Sequence, residues 1–124
     1  MELSRQIIRQ IIGEKPDIKG IFISTALSVA VLEELDSMNL SGKIKVVTSD
    51  LFPELVNYIN NGTVQATIFK NPCKQMVDAV SKLYMNISGL SDDTSDIYVT
   101  PQIIIKYNLR AFLEAKYEKS FQII

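Results

Sequence analysis

Hydrophobic residues along this chain alternate between two spacings. Leu3, Ile7, Ile8, Ile11 and Ile12 recur at helical intervals and fall on one face. Gly13 and Pro16 end that helix. The run GIFIS, 20–24, is a short apolar stretch of the kind found in buried parallel strands. Leu27, Ala30, Val31, Leu35 and Met38 return to helical spacing, and Asn39 to Gly42 forms a turn. A second strand is predicted over KIKVVTSD, 43–50. Pro53 then stands at a first helical position, with Leu55, Val56 and Ile59 as the buried face and Asn61-Gly62 as the stop.

A third strand is predicted over VQATIFK, 64–70. Pro72 opens a long amphipathic helix whose inner face is Met76, Val77, Val80, Leu83, Tyr84 and Ile87. A polar loop, SGLSDDTSD at 88–96, follows. IYVTPQIII, 97–105, reads as an extended segment interrupted by Pro101, and 108–119 as a short helix. Strands alternating with helices imply an α/β fold: a parallel sheet with right-handed crossovers and helices on both faces. The opening helix needs a sheet to cover, and only three strands are whole. Both features suggest an incomplete fragment of a larger fold, or one completed by a partner chain.

Composition removes several functions. The 124 residues suffice for one domain, and 47% are hydrophobic, so a core is attainable. A net charge of −1 leaves no electrostatic footprint for nucleic acid or an anionic membrane. DNA contact is therefore expected only through a domain absent from this stretch. Histidine is missing altogether, and with it the commonest general base and zinc ligand. With no Gly-rich phosphate loop, nucleophile elbow or metal-ligand spacing, no enzyme, metal or cofactor is expected. Cys73 is the one cysteine, and it fits a reducing compartment. No apolar run is long enough to span a bilayer, and Met1 to Arg5 lacks a signal-peptide pattern, so the expected location is cytoplasmic.

Ligands of open parallel sheets collect beyond the carboxyl ends of the strands. Here those ends carry Ser24-Thr25, Thr48-Ser49-Asp50 and Lys70-Asn71. Hydroxyls, a carboxylate and an amine around one crevice suit a small polyol or sugar-like ligand. Thr25, Asp50 and Lys70 are the candidate contacts. Asp50 and Thr25 also read as caps of the helices that follow them, and Lys70 as a solvated strand-end lysine.

Three stretches carry a resemblance: PDIKGIFISTALSVAVLEEL (16–35), KIKVVTSDLFPELVNYINNGTVQATIFKNPCKQMVDAVSKLYMNISG (43–89) and TPQIIIKYN (100–108). In this order they resemble the C-terminal, effector-binding part of LacI/GalR-type transcription regulators and the periplasmic sugar-binding proteins of the same type I fold. The resemblance implies that Thr25, Asp50 and Lys70 occupy effector-contacting positions. The family favours Asn-Asp where Thr25-Ala26 stands, Gln in place of Lys70 and Gly in place of Met76; Asp50 keeps the family residue.

The resemblance further implies a two-lobed domain. Residues 1–70 would form the second-lobe core, and 71–124 the crossover helix, a crossing segment near Pro101 and the tail. The helix from Pro72 would then lack its sheet, so a dimer or domain-swapped assembly is expected. Ala30, Glu34 and Tyr58 are the residues implied to face a partner. The function implied is effector sensing and dimerisation in a LacI-type regulator, with weak or no sugar binding by this stretch alone. A transport or chemoreceptor binding protein is the alternative. A phosphoacceptor receiver domain is remote, because the chain starts with a helix and no acidic pair follows Ser24.

Overall fold

The computed structural model describes residues 2–25 and 27–120, with side chains as far as 115. The elements run α1 (Glu2–Glu14), β1 (Gly20–Ile23), α2 (Ser28–Ser37), β2 (Lys45–Ser49), α3 (Pro53–Asn60), β3 (Val64–Phe69), α4 (Pro72–Ile87), β4 (Gln102–Ile104) and α5 (Lys106–Ser120). This is the α/β alternation that the hydrophobic spacing predicts. The chain divides into two compact units. One runs to Phe69 and resumes at Ile103; the other is Lys70–Gln102.

The sheet follows sequence order, β1-β2-β3-β4. β1 and β2 pair in parallel, Ile21 with Val46 and Ile23 with Thr48; β2 and β3 pair in parallel, Thr48 with Thr67. Paired residues point to the same face. The face bearing Ile23, Val46, Thr48 and Thr67 is buried, and beneath it lie Leu32 and Leu35 of α2 and Leu55 and Ile59 of α3. On the opposite face Phe22 is exposed, and Val47 and Ala66 are half-buried. α5 joins the core through Leu109, and Phe112 meets Phe69 edge-on at 4.9 Å between ring centroids. Asn108 secures the start of α5: its Oδ1 accepts from the Ile105 N–H at 2.7 Å, the back-reaching half of a capping box.

The register slips between Val46 and Val47, so that Val46 faces Val64 and Val47 faces Ala66. Gln65 is therefore a bulged residue. Its side chain replaces the missing ladder bond: Oε1 accepts from the Val46 N–H at 2.7 Å, and Nε2 donates to the Gly62 carbonyl at 2.7 Å.

α1 packs across α2 with Ile8 in the core. Arg9 forks onto the buried Glu34 carboxylate, Nε to Oε1 at 2.6 Å and an Nη to Oε2 at 3.0 Å. Arg5 pairs with Glu33, and Ser37 donates to Glu34 Oε1 at 3.1 Å. The Arg9 bond holds the Glu34 carboxyl below its ordinary range against the opposing effect of burial.

Two expectations need correction. The extended segment at 97–105 is strand only over Gln102–Ile104. Pro101 lacks an N–H for a ladder and restricts Thr100 before it. The predicted inner face of α4 is not buried either: no residue of that helix is. Burying such a stripe takes an opposing helix or sheet, and the unit Lys70–Gln102 contains no second helix.

Candidate functional site

β2 runs one residue beyond the end of β1. Ile23 pairs with Thr48, which sets Thr25 and Asp50, each two residues further on, at corresponding places. Both belong to the first unit. Lys70 follows β3 directly in sequence and opens the second unit.

Asp50 is held in an unusual conformation. Its φ is 67°, in the left-handed region where a non-glycine residue is uncommon, although Asp is among those that tolerate it. Two bonds to β3 fix the backbone there. The Asp50 N–H donates to the Ile68 carbonyl at 2.8 Å, and the Thr67 hydroxyl donates to the Asp50 carbonyl. The side chain is partly buried, with Oδ1 out of contact with solvent. Asp50 does not cap α3. That helix starts from Phe52 without a side-chain cap, and Glu54 supplies the acid of its first turn.

Thr25 is exposed and its Oγ1 accepts from the Leu27 N–H at 3.4 Å, a long local turn bond. It is not the N-cap of α2, which is Leu27. Asn71, next to Lys70, has φ 51° and caps α4 by accepting from the Lys74 N–H at 3.2 Å.

Sequence reasoning places Thr48 among the strand-end residues without choosing it as a contact, and passes over Ser28. Both hydroxyls are fully buried and have no hydrogen-bond partner among the described residues. One opens α2; the other lies two residues before Asp50. A hydroxyl ending a strand or starting a helix is so common that sequence carries no signal for their burial.

The residues implied to face a partner lie elsewhere. Ala30 and Glu34 are interior, on the helix that α1 packs across, and Glu34 meets Arg9 rather than solvent. Tyr58 is half-buried. Burial, with Glu33 and Asp36 nearby, pushes its hydroxyl pKa up.

Among the described residues no group of three or more His, Cys, Asp or Glu is placed to hold a metal ion. No described helix is long and apolar enough to cross a membrane.

The fold is shared with known structures. A glucose-galactose binding protein from Geobacillus stearothermophilus superposes with a TM-score of 0.78 at 21% identity, over 86% of this chain and 38% of its own. An ABC transporter periplasmic solute binding protein from Actinobacillus succinogenes, with bound D-allose, gives 0.77 at 25% identity, over 89% and 39%. A protein designated a LacI transcriptional regulator from Bacteroides fragilis gives 0.73 at 19% identity, over 86% and 37%. The chain thus spans less than two-fifths of the length of each of these three. No curated protein matches it significantly. The periplasmic binding protein domain family matches residues 2–91, more than half of the sequence, and the chain belongs to that family.

Proposed function

We propose that this chain supplies one share of a binding site for a sugar or sugar-like small molecule, and that it does so as the effector-sensing part of a LacI-type transcription regulator. The observation that carries the ligand reading is Asp50. A residue held in the left-handed region by one backbone bond and one bond from a side-chain hydroxyl costs on the order of 1 kcal/mol or more, and such strain concentrates at ligand clamps. The strain fixes where a carboxylate stands at a strand end, and a carboxylate accepts two sugar hydroxyls at once. Thr25 is the second proposed contact. Lys70, directly after β3, is the third, and its charge suits a ligand with an anionic group. Binding, rather than catalysis, is the activity.

The regulator reading rests on the residue pattern at 43–89 and on the likeness to the Bacteroides fragilis protein. It implies cytoplasmic location, a homodimer and DNA contact through a domain outside these residues. The ligand would act by favouring one arrangement of two lobes over another. A transport or chemoreceptor binding protein is the second reading, supported by the solute-binding proteins among the similar structures. A helix-turn-helix encoded upstream in the same gene decides for the regulator, and a signal peptide decides for transport.

The ligand reading is tested in the longest protein that carries these residues, by calorimetry against a panel of hexoses, pentoses and sugar phosphates. Asp50→Asn keeps a residue that tolerates positive φ and removes the charge. It is expected to weaken binding at least tenfold, about 1.4 kcal/mol, with the melting temperature unchanged. Equal affinity in the variant, or no binder in the panel, refutes the reading.

A further inference from the structure

Asp50 is the first residue beyond β2, and β3 holds its backbone on both sides of the Cα. Its N–H donates to the Ile68 carbonyl at 2.8 Å. Its carbonyl accepts from the hydroxyl of Thr67, one residue earlier on the same strand. The first bond limits φ and the second limits ψ. Together they leave the Cα–Cβ bond one direction, and that direction aims the carboxylate. Thr67 itself lies inside β3 and is 0% exposed, so it cannot touch a ligand beyond the strand ends.

The neighbouring strand supplies a comparison. Thr48 pairs with Thr67 across the ladder and is equally buried, yet its hydroxyl has no hydrogen-bond partner among the described residues. Two threonines therefore share one face of the sheet, and only the hydroxyl of Thr67 reaches the Asp50 backbone.

We infer that Thr67 is a positioning residue of the ligand site: through the Asp50 carbonyl, its hydroxyl keeps Asp50 left-handed and its carboxylate aimed. The inference rests on the ligand reading of Asp50. Without the hydroxyl, Asp50 relaxes toward the conformations that an L residue prefers. Only the fraction still left-handed binds, and apparent affinity falls by that fraction.

The test is calorimetry on the longest protein that carries these residues, with the tightest-binding member of the hexose, pentose and sugar-phosphate panel. Thr67→Val keeps the shape of the side chain and removes the hydroxyl; it is expected to bind about fivefold more weakly, or worse. Thr67→Ser keeps the hydroxyl and loses a buried methyl. It should melt lower yet bind like the wild type, whereas a merely structural role would make affinity follow melting temperature. Thr48→Val, which removes the unpartnered hydroxyl, should leave affinity unchanged. With Asp50→Asn weakened, full affinity in Thr67→Val overturns this inference alone. So does a Thr67→Ser that binds no better than Thr67→Val, or a Thr48→Val that loses as much. Wild-type affinity in Asp50→Asn, or no binder in the panel, removes the ligand reading and this inference with it.

Discussion

Gln65 gives the sharpest test of how this sheet is held together. Where the register slips, the Val46 N–H loses its ladder partner, and Val46 is 0% exposed. The N–H donates instead to the Gln65 side-chain carbonyl. Gln65→Leu keeps the apolar stem and removes that acceptor, so a buried N–H is left without a bond. Such a group costs about 1–3 kcal/mol. The second bond, to the Gly62 carbonyl, is exposed and adds little. Against a total stability of about 5–15 kcal/mol the loss is large, and at about 4–8 °C per kcal/mol it lowers the melting temperature by roughly 5–20 °C. Thermal unfolding followed by circular dichroism, with a urea titration beside it, measures the effect. Gln65→Glu keeps the acceptor but not the donor, and is expected to fall between the two. If Gln65→Leu melts with the wild type, the bulge does not depend on this side chain and the reasoning is refuted.

Two further perturbations probe other joints of the molecule. Because Arg9 depresses the folded-state pKa of Glu34, the unfolded chain binds the proton more readily. The stabilisation is therefore full above the ordinary value of 4.5 and is lost as pH falls through the lower folded value. Glu34→Gln should flatten that acid limb and lower stability at neutral pH, as read from urea midpoints across pH; an unchanged acid limb counts against the assignment. Asn71 both caps α4 and occupies a left-handed conformation, so Asn71→Ala loses a cap and meets backbone strain, together about 2 kcal/mol. Since α4 buries no residue, that should appear as a drop in helical circular dichroism, smaller for Asn71→Gly; equal helicity in all three forms would show that the cap is not limiting.

The parts of the fold that were legible in the sequence are those with a local cause. Pro53 and Pro72 start helices where the rule for a first helical position puts them, and the runs at 43–50 and 64–70 contain the strands Lys45–Ser49 and Val64–Phe69. What sequence could not show depends on neighbours distant in the chain. The α4 stripe has the pattern of a buried face, yet pattern reports only a capacity for burial, and nothing in its unit covers it. Residues 97–101 are rich in strand formers, but Pro101 interrupts the ladder. Asp50 was found by its position at a strand end. Its φ of 67° was not, because that conformation is imposed by Thr67 and Ile68 on the adjacent strand. The resemblance implies that Glu34 faces a partner, whereas within this chain a second helix, bearing Arg9, crosses over it.

The division of the chain also governs how it comes apart. Lys70–Gln102 departs after β3 and rejoins the first unit at β4, the neighbour of β3 in the sheet. The core residues Leu32, Leu55, Ile59 and Leu109 all lie outside it. Heat or protease should therefore act on the chain in two stages. The excursion yields first, and the strands on either side of it go on melting as a cooperative block. A single melting temperature would then describe only the block, and the sequence between 70 and 102 is the place where insertion, deletion or exchange with another segment would disturb the sheet least.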